Sequence, residues 1–108
     1  MINRKSDEGF VDMREGIRRQ GLVHGERTHM VRFFLDKDHE LPVHIHEDHE
    51  QTGFLLAGKM VLTIDGEGHT LAPGDSWSIP RGVPHGASII EDTEVIEVFS
   101  PRREDYLD

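Results

Sequence analysis

Apolar residues in this chain fall in short alternating runs, each closed by glycine, proline or aspartate. The runs are "GIRRQGLV" (16–23), "THMVRFFLD" (28–36), "QTGFLLAG" (51–58), "KMVLTID" (59–65), "HTLAPGDSWSIP" (69–80) and "TEVIEVF" (93–99). They are rich in Val, Ile, Leu, Phe and Thr, and most alternate with period two, so each is expected to be a strand. Between them "LAGK", "DGEG", "PGD" and "PRGVP" hold the residues that tight turns use. Asp65-Gly66 is a hairpin signal. No run has helical length and period; residues 102–107 are expected to form a single turn at most. Short strands at this spacing predict an all-β antiparallel barrel or sandwich. Met30, Phe34, Leu55, Leu62, Ile64 and Ile79 are the expected core.

Composition narrows the classes. The 108 residues suffice for one core and are too few for two. Apolar residues are only 35%, but their clustering argues for a folded chain rather than a disordered one. A net charge of -9 repels nucleic acid and anionic membrane surfaces alike. With no cysteine, disulfides and thiolate zinc sites are excluded. The start "MINRKSDEGFVDMREG" has no apolar stretch of signal-peptide length, and no run is long enough to span a bilayer. A soluble cytoplasmic protein is expected.

Candidate chemistry concentrates in "HIHEDHEQTGFLLAG", residues 44–58. His44 and His46 are two apart, so an extended chain points both to one face. Gln51 opens the next strand. A second segment, "PGDSWSIPRGVPHGA", ends near His85 after a turn restricted by Pro80 and Pro84 and eased by Gly82. Three imidazoles and an amide oxygen can converge on one divalent cation, such as Zn, Ni, Fe or Mn. Taken alone, an H-x-H pair among eight histidines is a weak signal, and "EDHE" reads equally well as a solvated loop.

The spacing of the two segments is more specific. The first reads H-x-H-x4-Q-x6-G from His44 to Gly58, and the second G-x5-P-x-G-x2-H from Gly74 to His85. These resemble the two boxes of the cupin superfamily, whose fold is a small jelly-roll barrel, the double-stranded β-helix. The likeness covers roughly residues 16–100, which leaves 1–15 as an N-terminal arm (1–12 loose or an edge strand) and 101–108 as a tail on a single domain. Asp38 stands where the family has a turn glycine, Ile89 where an asparagine often closes the second box, and Gln51 where a glutamate ligand is usual. Glu50 lies beside Gln51 but faces the other side of a strand, so Gln51 is the expected ligand. A site of His44, His46, Gln51 and His85 has no charged ligand and keeps the full charge of its cation. That favours isomerase, lyase or hydratase chemistry over oxygenase chemistry.

The ending "EVIEVFSPRREDYLD", together with the first box, resembles the KdgF group of small cupins of pectin and alginate breakdown. Members carry an acid, an aromatic two residues later, and a Pro-x-Arg-Glu-Asp-aromatic close. Here Glu97, Phe99, Pro101, Arg103, Glu104, Asp105 and Tyr106 hold those places, with Glu97 replacing the more usual aspartate. The resemblance implies conversion of 4,5-unsaturated monouronates to a linear ketone form. It implies Glu97 as acid/base, Phe99 as a pocket wall, Arg103 as the holder of the sugar carboxylate, and a homodimer. From the residues alone, Glu97 shares a strand face with Phe99, and Arg103 has the planar fork that suits a carboxylate, or else pairs with Glu104, Asp105 or a neighbouring subunit. Trp77 is expected to pack or border the pocket. His49 is read as hanging at the mouth of the site or, in preference, facing solvent, and His24, His29, His39 and His69 as surface or turn residues. Two other readings stay open: an oxygenase or lyase acting on a small carboxylate, and a non-catalytic metal- or ligand-binding module.

Overall fold

The computed structural model describes residues 1–107. In chain order it forms β1 (Phe10–Arg14), β2 (Ile17–His24), β3 (His29–Leu35), β4 (Glu40–His44), β5 (Glu50–Ile64), β6 (Glu67–Leu71), β7 (Ser76–Ile79), β8 (His85–Ser100) and a 3₁₀ turn, Glu104–Tyr106. The strands pair antiparallel in the order β1-β2-β3-β8-β5-β6, with β4 added to β8 and β7 to β5. This is the all-β, antiparallel architecture that the alternating runs predict. Among the described residues, no helix is long and apolar enough to cross a membrane.

The two long strands, β5 and β8, organise the interior. On β8 the odd positions turn inward, from His85, Ala87 and Ile89 to Val95 and Phe99. On β5 the odd positions Gln51, Gly53 and Leu55 are buried at the start, but Met60 and Leu62 are buried further along. The phase switches between them. The pairing with β8 slips around Ala57 and Lys59, and Gly58 lies there at φ +97°. "LAGK" is therefore a bulge within one strand, not a turn between two. Such a bulge admits an extra residue and exchanges the faces beyond it. A Cβ on Gly58 would sit 2.3 Å from the Asp92 carbonyl oxygen and 2.6 Å from Thr93 Cα, atoms that cannot move aside cheaply. Gly58→Ala is expected to lower unfolding free energy by about 2 kcal/mol or more, through both the backbone angle and the clash. A fall in the denaturation midpoint at unchanged slope is the readout.

The core differs from expectation on β3. Val31, Phe33 and Leu35 are buried, whereas Met30 is 37% exposed and Phe34 packs outside against Phe10, Arg18 and Arg32. Arg32 explains the phase. It shares parity with Met30 and Phe34, and that face carries its ion pair to Glu94 rather than the core. Leu55, Leu62 and Ile79 are buried as expected, and Ile64 packs against the core from its margin.

Of the segments outside the expected strands, residues 85–92 extend β8 and residues 40–44 form β4. Residues 10–14 are the edge strand β1, and Gln20 Nε2 ties the segment before it by donating to the carbonyls of Ser6 and Glu8 at 2.8 Å each. Asp38 takes φ +65°, doing the work of the turn glycine it replaces, and Ile89 is a core residue. Asp65 and Gly66 both take positive φ in the β5–β6 hairpin.

Candidate metal centre and cavity

Register brings the site together. His44 on β4 lies opposite His85 on β8. His46 follows just beyond β4, and its carbonyl accepts the Gly82 N–H at 2.8 Å, which fastens the first segment to the second. The imidazole rings of His44, His46 and His85 are mutually 4.2–5.2 Å apart. Each offers one ring nitrogen, and those atoms all lie within 4.8 Å of one another.

The tautomers of His44 and His85 are held from behind. His44 Nδ1 lies 2.9 Å from the Pro42 carbonyl, and His85 Nδ1 lies 2.9 Å from that of Val83. Each carbonyl calls for the proton on Nδ1, leaving an Nε2 lone pair to face inward. His85 Nε2 is buried without a hydrogen-bond partner, and so is the Gln51 side-chain oxygen. Buried polar atoms are rarely left unpaired, and here both are acceptors of the kind a cation takes. Burial, reinforced by Arg103 and the neighbouring imidazoles, lowers the His46 pKa to about 3. Burial likewise lowers that of His85. Both rings are thus neutral, as ligation requires. The donor set fits a divalent cation held by His44, His46, His85 and the Gln51 oxygen. Glu50, by contrast, is exposed on the outer face of β5.

Gln51 connects this cluster to Glu97. Its amide nitrogen donates a hydrogen bond to Glu97 Oε2, which leaves the amide oxygen as the unpartnered end. Glu97 lies opposite Gly53 on β5, and Gly53 lies opposite Trp77 on β7. A Cβ on Gly53 would stand 2.2 Å from the Trp77 ring, so the missing side chain is what lets the indole lie close. Glu97 is partly accessible because it lines a cavity, yet protein crowds its carboxyl. That burial raises its pKa to about 7, against the opposing pull of Gln51, Arg103 and Trp77. The indole N–H influences the carboxyl without reaching hydrogen-bond geometry.

The cavity measures about 240 Å³. The histidine cluster, Gln51, Glu97, Arg103 and Tyr106 supply its polar wall; Trp77 and Phe99 border it, with Leu62 and Val95 among its apolar lining. Every residue singled out from the sequence for metal, catalysis or substrate therefore meets this one space. Two histidines lie deeper than the preferred sequence reading puts them. His49 is half-buried, with its ring 4.4 Å from that of His46 and 5.4 Å from that of Phe99. His29 is 2% exposed on β3, where its register partner is Phe99 and its ring lies 5.7 Å from that of His24. The inward phase of β3 that carries Val31 also carries His29, and it was legible from Arg32.

Residues 31–100 match a family model described as a cupin domain. The chain is also 30% identical over 97 residues to the pectin degradation protein KdgF of Dickeya dadantii, spanning 89% of this chain and 88% of that one. The chain belongs to the cupin family, in its KdgF group. A solved structure of KdgF from Halomonas sp. superposes on this cupin with a TM-score of 0.93 at 32% identity, covering 99% of this chain and 98% of that one. A 65-residue stretch is 37% identical to quercetin 2,3-dioxygenase of Bacillus subtilis, covering 60% of this cupin and 19% of that enzyme.

Proposed function

We propose that this cupin is a metal-dependent enzyme that converts 4,5-unsaturated monouronates to their linear ketone form. The observation that carries the reading is the Glu97 carboxyl inside the cavity, joined through Gln51 to the three-histidine cluster, with Arg103 in the same wall. A divalent cation held by His44, His46, Gln51 and His85 would polarise a hydroxyl, carbonyl or enol oxygen of the substrate. The reaction is an isomerisation. Opening the ring takes a proton from the anomeric hydroxyl as the ring C–O bond breaks, and turning the resulting enolate into a ketone delivers one proton to carbon. Glu97 is the group placed to take the first proton and return the second. Phe99 and Trp77 bound the sugar, and Arg103 holds its carboxylate. The enzyme works in the cytoplasm, as a dimer that covers exposed sheet edges such as β1.

Arg103→Ala is the test of this pose. It is expected to raise KM for an unsaturated monouronate roughly 10- to 150-fold, the equivalent of about 1.5–3 kcal/mol for a charge-assisted contact, with a smaller change in kcat. An unchanged KM removes Arg103 from substrate recognition. The likeness to quercetin 2,3-dioxygenase favours one second reading, an oxygenase, and substrate-dependent oxygen uptake by the metal-loaded protein distinguishes it.

A further inference from the structure

The 3₁₀ turn at the end of the chain holds an ion pair that the reaction itself does not require. Arg103 is 7% exposed. Its Nε donates to Asp105 Oδ1 at 2.9 Å and its Nη2 to Asp105 Oδ2 at 2.6 Å, a two-pronged contact along one edge of the guanidinium. The remaining nitrogen, Nη1, is buried and has no hydrogen-bond partner. The plane is also held: the Arg103 guanidinium carbon lies 3.8 Å from the centre of the Tyr106 ring and 5.0 Å from that of Phe99. Tyr106 in turn packs on Phe33 and Phe99, and Arg19 stacks on it at 4.3 Å.

We propose that Asp105 is a positioning residue, which grips Arg103 by its Nε–Nη2 edge so that the unpartnered Nη1 is presented to a substrate carboxylate in the cavity. The inference rests on the reading of Arg103 given under the proposed function. Asp105 itself stands outside, with 61% of its side chain exposed and no place in the cavity wall. The bond to Arg103 keeps its carboxyl below the usual aspartate range, so it is charged when it makes the grip.

Two effects of Asp105 oppose each other. Its negative charge repels an incoming carboxylate, but solvent around the exposed Asp105 screens that repulsion. Against it stands the cost of an ungripped guanidinium. A cation this buried is costly unless paired, so without Asp105 the guanidinium gains by turning towards the water that surrounds Asp105. Positioning outweighs repulsion. Glu104 offers no replacement, because it is exposed and already accepts a bond from Arg102 Nε at 3.0 Å. A prearranged Nη1 also spares the substrate the entropy of ordering the arginine.

The test is calorimetric binding of D-galacturonate, a saturated monouronate, and of its methyl ester to the full-length, metal-loaded protein, with KM and kcat on the unsaturated monouronate alongside. Wild type is expected to prefer the acid to the ester. Asp105→Asn should weaken binding of the acid about tenfold, leave the ester unchanged, and raise KM with little change in kcat. Asp105→Glu, which keeps the carboxylate, should recover most of the acid's affinity. Acid binding in Asp105→Asn that equals or exceeds wild type overturns the positioning role. Equal weakening of acid and ester, with a lower melting temperature, also overturns it, because that is the signature of a structural role alone. A wild type that does not distinguish acid from ester overturns the assignment of Arg103 itself, and the proposal for Asp105 falls with it.

Discussion

Glu97→Gln is expected to slow turnover of a 4,5-unsaturated monouronate about 100-fold or more while leaving metal content and KM near wild type. The substitution keeps the shape of the side chain and removes only its ability to take and return a proton. The carbonyl of a glutamine at this position can still accept the bond that Gln51 Nε2 gives to Glu97, so the Gln51 oxygen stays where it is. Glu97 is not among the clustered donors, and the ion has no reason to leave. Metal analysis and steady-state kinetics on the same preparation separate the two properties. Wild-type turnover in the variant excludes Glu97 as the proton-transfer group.

His85→Ala should fail in a different way, losing metal and activity together. His85 is 3% exposed, its Nδ1 is held by Val83, and its Nε2 has no partner other than what enters the cluster. Loss of even an outer-shell partner costs a metal site about 10–100-fold in affinity, so loss of a ligand should cost at least about 100-fold. Activity should return only at metal concentrations that refill the site, if it returns. Full occupancy at stoichiometric metal would remove His85 from the ligand set.

The two boxes made the metal cluster legible because their spacing encodes a register. His44 faces His85, and Gln51 sits on the inward phase that Gly53 and Leu55 share. The inward parity of β8 was also readable in part, since Glu97 and Phe99 are two apart. What could not be read was phase across a bulge. "QTGFLLAG" and "KMVLTID" alternate in opposite phase, and local pattern assigns a turn where the pairing with β8 requires a bulge at Gly58. On β3 both phases of "HMVRFFL" are apolar enough to be core, and only Arg32 breaks the tie. Met30 and Phe34, expected in the core, lie on the outer face with Arg32. The grip of Asp105 on Arg103 is one of the pairings that the sequence allows, and the geometry of the final turn selects it over Glu104.

The proposed activity is tested most directly by following the loss of the carbon–carbon double bond of a 4,5-unsaturated monouronate, with and without protein, after metal analysis has established full occupancy. The expected result is loss well above the uncatalysed rate, abolished when a chelator strips the ion, with a linear ketone as product. A fully metal-loaded protein that leaves the uncatalysed rate unchanged would contradict the proposed activity.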